Sequence, residues 1–235
     1  MKYKKYKKDD PYSFVFGGFP TIELLNTKKE IVREVLISNK LNDGDEIFDL
    51  LNKLGIKYSV GNDITRLQNK GNIYIAGVFE KYQENLEDKN HVVLDNPENM
   101  GNLGTIIRSM AAFGLYDLAI IGSIDIFDPR VIRASMGSFF KVRKKLYKNK
   151  EEYLSNFGKD RSMYSFILDE NSKRLNTIDN KGKFSLIFGN EAHGLDDSYR
   201  NISRSVFIPQ SKDVDSLNLS SAVTVSLYHF MKDNL

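Results

Sequence analysis

The sequence contains no cysteine. Disulfides and thiolate metal sites are therefore excluded. Histidine is scarce too: His91, His193 and His229 are scattered without metal-ligand spacing, so no metal is expected. No apolar run approaches the ~20 residues a membrane-spanning helix needs. The basic start, MKYKKYKKDD, is not followed by the apolar segment of a signal peptide. These absences point to a soluble cytoplasmic protein without a membrane partner. A large excess of one charge is also missing: +3 over 235 residues argues little about partners.

The hydrophobic fraction of 41% supports a real core, and the length suits two domains. Charge is more informative in its distribution. Lys2, Lys4, Lys5, Lys7 and Lys8 crowd the N-terminus around Tyr3 and Tyr6, and a second cluster, KVRKKLYKNK, spans 141–150. Lysines neutralise phosphates and tyrosines can stack on bases. Each cluster therefore reads either as a nucleic-acid contact or as a solvated tail or edge.

Residues 13–80 read as a small α/β unit after a basic tail, 1–12. GDEIFDLLNKLGI is a helix with Ile47, Leu50, Leu51 and Leu54 on one face and Gly55 at its C-cap; IVREVLISN reads as a helix-to-strand passage or a strand, and IKYSV and NIYIAGVFE as strands. The polar stretch 81–90 reads as a linker. From His91 onward, HVVLD, LAIIG, YSFILD, FSLIF and SVFIP are buried-type strands. Between them lie the helix LGTIIRSMAAFGL and a helix entered through Pro129 in DPRVIRASMG. A last helix carries Leu219, Val223, Leu227 and Phe230 or Met231 on one side. Alternation of this kind predicts an α/β fold with a parallel sheet covered on both faces, and ligands beyond the carboxyl ends of its strands.

Three loops fall at that edge. NPENMGNLGTIIR, 96–108, has two glycines but not the full G-x-G-x-x-G of a dinucleotide site. Asp125, about 20 residues on, keeps a Rossmann-type dehydrogenase open. The other reading is a tight strand-to-helix turn. Arg108 lies among apolar helix neighbours, where an arginine usually has an anionic partner. In GNEAHGL, 189–195, Glu191 either caps the next helix or pairs with Arg108; His193, without a carboxylate or nucleophile at a known spacing, is more often a loop residue. In IPQSKDVDSLNLS, 208–220, Ser216 and Asn218 either N-cap the final helix or face a ligand at its N-terminus.

Taken in order, NMGNLGTIIRSMAAFG, LIFGNEAHGL and IPQSKDVDSLNLSSAVTVSLY resemble the three signature motifs of the SpoU (TrmH) branch of the SPOUT RNA methyltransferases. Asn102, Gly104 and Arg108 stand at the N-x-G-x-x-x-R core. Gly189, Glu191, Gly194 and Leu195 stand at G-x-E-x-x-G-L, and Ser216, Leu217 and Asn218 at S-L-N. DPRVIRASMGS also looks like a family segment, with Arg133, Ser135 and Gly137 in place. The N-terminal part is similar to the ribosomal-protein-L30-like substrate domain of many members, with FVFGGFPTIELL at its start, although Pro20 is expected to interrupt the helix there.

The resemblance implies a SPOUT methyltransferase domain over 91–235 with a parallel sheet and a deep trefoil knot, which topology rules alone would not predict. A small α/β L30-like RNA-binding domain would precede it over 13–80. It implies S-adenosylmethionine as cofactor, held by Phe188, Gly189, Asn190, Ile208, Pro209 and Leu217. It also implies a homodimer and 2′-O-methylation of a ribose in structured RNA, ribosomal RNA before tRNA. Asn102, Arg108, Glu191, Ser216 and Asn218 would form the catalytic set, with Arg108 engaging the ribose and phosphate and Glu191 orienting Arg108. A guanidinium stays protonated near neutrality, so stabilising alkoxide charge suits it better than acting as a base. A catalytically inactive RNA-binding protein is the remaining alternative.

Overall fold

Seven strands, all parallel, form the larger sheet of a computed structural model that describes residues 3–42, 44–62, 64–67, 73–169 and 171–234. Lys2 of the basic N-terminus and Asn72 of NIYIAGVFE lie outside the described residues. The chain divides into two compact units: residues 1–82 with 125–141, and residues 83–124 with 142–235.

The first unit contains β1 (Tyr12–Phe16), α1 (Gly18–Lys28), β2 (Val32–Ser38), α2 (Asp45–Leu54), β3 (Tyr58–Gly61), α3 (Ile64–Leu67) and β4 (Ile75–Glu80). Its sheet runs β1-β4-β2-β3, antiparallel except for the β2–β3 pair. On one face Leu25, Val35, Ile37, Ile47, Leu51 and Ile75 form a core, to which α2 contributes the apolar stripe read from its sequence. On the other face Tyr3, Phe14, Leu36, Ile64, Leu67, Ala76 and Val78 form a second core. Pro20 does not interrupt α1. It sits in the first turn, where a missing N–H leaves no helical bond unmade.

The expected boundaries differ from this division in two places. Residues 125–141, expected with the C-terminal domain, belong to the first unit. Asp128 and Pro129 open α5 (Pro129–Ala134) there. The Phe127 ring packs on Phe79 and Tyr82, Phe140 packs on Phe79, and Ser13 Oγ donates to the Phe127 carbonyl at 2.6 Å. The polar stretch 81–90 is also more than a linker: from Gln83 it belongs to the second unit, where Leu86 is buried and Glu87 and Asp88 pair with Arg143 and Arg161.

The second unit contains β5 (His91–Asp95), α4 (Met100–Ala112), β6 (Asp117–Ile121), β7 (Arg143–Tyr147), α6 (Lys150–Phe157), β8 (Ser162–Phe166), β9 (Lys173–Arg174), β10 (Phe184–Phe188), β11 (Arg204–Phe207) and α7 (Leu219–Met231). The strand order is β7-β6-β5-β10-β8-β11-β9. The central strands are near-continuous Val, Ile, Leu and Phe because both faces are covered. Leu103, Ile106, Ile107 and Met110 of α4 and Val223 and Leu227 of α7 are fully buried, worth about 1.5–3 kcal/mol for each large side chain. Tyr153 of α6 joins Val93, Ala119, Ile121 and Ile187 in another core cluster. No helix among the described residues is long and apolar enough to cross a membrane.

The second basic cluster, KVRKKLYKNK, contains the edge strand β7, and the fold uses most of its charge. Arg143 binds both carboxylate oxygens of Asp117, at 2.7 and 2.6 Å. Buried Lys144 donates to the Val142 carbonyl, with Glu84 3.7 Å away. Lys145 bonds Asn85, Lys141 pairs with Glu23, and Lys150 pairs with Asp196. Among the described residues Lys148 alone of these cations has no partner. The nucleic-acid reading of this cluster therefore loses its support.

At the amino ends of the strands, opposite the predicted site, His91 is wholly buried. Its Nε2 is 2.7 Å from the Glu87 carbonyl; its Nδ1 is 2.8 Å from the Tyr153 hydroxyl and 2.9 Å from Arg161 Nη1. Burial pushes its pKa down from 6.5 to about 4; the Glu87 carbonyl opposes this and the Arg161 charge adds to it. The folded state thus keeps His91 neutral while the unfolded chain protonates near 6.5. Stability is expected to fall as pH drops from about 6.5 to about 4, by up to about 3 kcal/mol at roughly 1.4 kcal/mol per unit. Urea unfolding at pH 7 and 4.5 checks this. An equally steep loss in His91→Gln would refute the assignment.

Candidate active site

The first of the three loops, NPENMGNLGTIIR, folds differently from a glycine turn. Asn99 N-caps α4, its side chain accepting the Asn102 N–H at 3.0 Å, so Gly101 and Gly104 lie inside the helix. The turn itself is 96–99, and a carboxylate from the second motif holds it. Glu191 accepts the N–H groups of Glu98 and Asn99, both at 3.1 Å, and Asn102 Nδ2 at 3.1 Å. Partial burial opposes ionisation of Glu191. The bonds from Asn102, its own N–H, Glu98 and Asn99 prevail and hold its carboxyl below the ordinary range. Glu191 is therefore an ionised acceptor, and the helix start it supports is α4, not the segment after it.

Asn102 continues the chain of contacts. Its Oδ1 accepts Asn218 Nδ2 at 3.1 Å, while Asn218 N-caps α7 by accepting the Ser220 N–H at 2.9 Å. Three side chains, one from each motif, thus form the line Glu191–Asn102–Asn218. Arg108 stands apart from it. It is exposed on α4 and makes no hydrogen bond or ion pair with the described residues, so the expected Arg108–Glu191 pair is not formed. From Asn102 to Arg108 the helix rises about 9 Å and turns by about 240°, which separates the two faces. Ser216 is exposed and lies before α7, not at its cap.

A cavity of about 430 Å³ opens at the carboxyl ends of β8, β10 and β11. Phe188, Gly189, Asn190, Ile208 and Leu217 line it; Pro209, expected with them, is not among the lining residues. Glu191, His193 and Ser216 also reach it. The loop wall is set by Asn190. Its backbone bridges to Gly194, its Oδ1 accepts the Ala192 and His193 N–H groups, and its Nδ2 donates to the Asn96 carbonyl at 2.8 Å. Gly194 has φ 69°, the left-handed conformation glycine adopts without strain. The sequence reading missed Phe166, Ile167 and Leu168, which line the cavity from the end of β8. The Phe166 ring stacks on Phe188 with centroids 4.3 Å apart. Their signal was the position of YSFILD as a strand whose carboxyl end must meet the ligand edge.

Asp125, the residue that kept a dehydrogenase open, is engaged in the first unit. It accepts the Tyr6 hydroxyl at 2.7 Å and the Phe127 N–H at 3.1 Å.

The profile of the SpoU rRNA methylase family matches residues 89–228, which contain all three motifs. The chain belongs to the SpoU rRNA methylase family. Among curated SpoU-type relatives, the 23S rRNA (uridine(2479)-2′-O)-methyltransferase of Streptomyces viridochromogenes is 30% identical over 156 residues. That match takes in 63% of this chain and 54% of the relative, so the chain spans about half of that protein's length. The 23S rRNA (guanosine(2553)-2′-O)-methyltransferase RlmP of Bacillus subtilis (strain 168) is 25% identical over 232 residues, 96% of this chain and 91% of the relative. The structure of an AdoMet-bound rRNA methyltransferase from Sinorhizobium meliloti superposes with a TM-score of 0.83 at 25% identity, covering 96% of this chain and 88% of that one.

Proposed function

We propose that this chain transfers a methyl group from S-adenosylmethionine to a ribose 2′-hydroxyl of structured RNA, ribosomal RNA before tRNA. The observation that carries the proposal is the Glu191–Asn102–Asn218 line, which ties all three motifs together beside one cavity. The ribosomal preference is supported by a relative that aligns along nearly the whole chain and is named as a 23S rRNA methyltransferase. An RNA substrate also supports a cytoplasmic site of action.

The cavity suits the cofactor. Its volume falls in the usual range of about 300–1,000 Å³ for small-molecule sites. Aromatic and aliphatic walls from Phe188, Ile208 and Leu217 suit an adenine ring, and the ionised Glu191 at the same cavity suits a sulfonium cation. Gly189, Asn190 and Pro209 would complete the holding set. Bound there, S-adenosylmethionine supplies an electrophilic methyl group on sulfur. The protein's part is to align a ribose oxygen and stabilise the charge that develops as its proton leaves. Arg108, exposed and without a partner among the described residues, is available to bind the ribose oxygen and an adjacent phosphate. Glu191 acts as neither acid nor base; its oxygens already accept three bonds, and it positions Asn102 and the 96–99 turn. Ser216, at the cavity without a hydrogen bond among the described residues, is placed to contact the ribose or its phosphate.

Two further features complete the reading. A homodimer is supported by the exposed Val225 and Tyr228 of α7, at 45% and 58% exposure, with the Phe113 ring 6.2 Å from Tyr228. A second copy there would lie near Arg108 on the adjoining α4. A knot is supported by the path of the C-terminal segment. β10 enters between β5 and β8, and α7 returns to α4, where Thr224 Oγ1 lies 2.7 Å from Ser109 Oγ. The first unit is then the L30-like module that receives RNA.

The deciding experiment is methyl transfer from labelled S-adenosylmethionine to rRNA and tRNA, with 2′-O-methyl mapping, for wild type and Arg108→Lys. Lysine keeps the charge and loses the planar fork. Arg108→Lys should lower kcat by about 100-fold or more, with cofactor affinity unchanged. Near-normal turnover in the variant would refute the role of Arg108. RNA binding by wild type without methyl incorporation would refute catalysis.

A further inference from the structure

The basic N-terminus is mounted on the first unit. Tyr3 is 7% exposed; its ring packs edge-on against Tyr12 and Phe14, at centroid distances of 5.5 and 6.2 Å, and its hydroxyl reaches Glu34 at 3.2 Å. Tyr6 donates to Asp125 at 2.7 Å. Lys81 holds the same stretch, donating to the Lys8 carbonyl at 2.6 Å with its ammonium 4.7 Å from the centre of the Tyr6 ring. A turn closes the segment: the Lys7 N–H bonds Asp10 Oδ2 and the Asp10 N–H bonds the Lys7 carbonyl. Both tyrosines are spent on anchoring. Lys4, Lys5, Lys7 and Lys8 are exposed beside them.

This arrangement separates two ways of meeting RNA. Tyrosines that stack on bases must be accessible, and Tyr3 is not. Lysines that neutralise phosphates need only be exposed, and a fixed backbone lowers the entropy lost when they do so. With its aromatic rings turned inward, the segment also lacks the apolar face that an interfacial membrane anchor needs. We infer that residues 4–8 form a fixed cationic strip that grips the phosphate backbone of the substrate RNA without reading its sequence. The inference rests on the RNA-substrate reading given above and adds to it a surface outside the methyl-transfer site.

The test uses the full chain as wild type, Lys4→Ala/Lys7→Ala and Tyr6→Phe. Binding to a 23S rRNA transcript, to oligouridylate and to phosphatidylserine vesicles is measured from 50 to 200 mM salt, with thermal unfolding and S-adenosylmethionine binding recorded alongside. The double lysine variant should lose affinity on the order of tenfold for both RNAs, and its log–log salt slope should be shallower by about 1.5. Tyr6→Phe keeps every lysine but removes the Asp125 anchor, and should weaken both RNAs several-fold at unchanged cofactor affinity. Wild-type binding with unchanged affinity and slope in the lysine variant would overturn the strip alone. Full RNA binding by Tyr6→Phe would overturn its mounting. A lysine variant weakened only toward phosphatidylserine vesicles would assign the surface to a membrane instead. If wild type binds neither RNA, the RNA-substrate reading itself fails.

Discussion

Gly189→Ala is expected to weaken cofactor binding on the order of 100-fold while leaving the second unit folded. A Cβ built on Gly189 would lie 2.1 Å from the Gly194 carbonyl carbon, 2.2 Å from its oxygen and 2.4 Å from the Leu195 nitrogen. All three are backbone atoms, so no side-chain rotation relieves the overlap. The 190–194 loop would have to move by more than an ångström. That movement would open the Asn190–Gly194 bridge and displace both Asn190 and Glu191. Misplacement on this scale costs on the order of 100-fold in a positioned site. The overpacking itself should destabilise the fold by about 1–3 kcal/mol. Calorimetric titration with S-adenosylmethionine and thermal unfolding check the two effects separately. Gly182→Ala, where an added Cβ meets nothing within 4 Å, is the matched control. Binding by Gly189→Ala within threefold of wild type would show that the loop does not shape the pocket.

The second large effect concerns truncation. Residues 83–235 contain the whole family match, and removing residues 1–82 looks like a clean way to isolate the family-matching unit. It is expected to yield an insoluble or aggregating protein. Such a truncation retains 125–141 but deletes its partners. Phe139 and Phe140, 0% and 3% exposed, and Val131 and Ile132, both fully buried, would meet water. At about 25 cal/mol per Å² this exposes several kcal/mol of apolar surface, comparable to the stability of a domain. Soluble yield and sedimentation of the 83–235 fragment decide the matter. A monodisperse, cooperatively unfolding fragment would show that 125–141 does not need the first unit. Activity lost on truncation is therefore no measure of RNA binding by the first unit, and point substitutions on the intact chain are the cleaner probe.

Much of the second unit was legible in the sequence. Runs such as HVVLD and FSLIF bury both faces and can form little else in an α/β chain, and the three motifs sit where strand ends must place them. The edge strand β7 was obscured because its lysines and arginine read as a binding patch. Only the packed strand shows them paired with Asp117, Glu84 and Asn85. The glycines of NPENMGNLGTIIR suggested a turn, and the Asn99 cap moved them into the helix.

The choice of partners was not legible. Residue types and motif order indicate Asn102, Arg108, Glu191, Ser216 and Asn218 as one set, because that information is local to each stretch. Whether Glu191 would meet Arg108 or Asn102 depends on a contact across 89 residues, the Asn102–Asn218 bond on one across 116, and the Tyr6–Asp125 anchor on one across 119. Strand order and helix phase decide such contacts. A rotation of 100° per residue along α4 carries Asn102 toward the second motif and Arg108 away from it, although both belong to a single seven-residue signature.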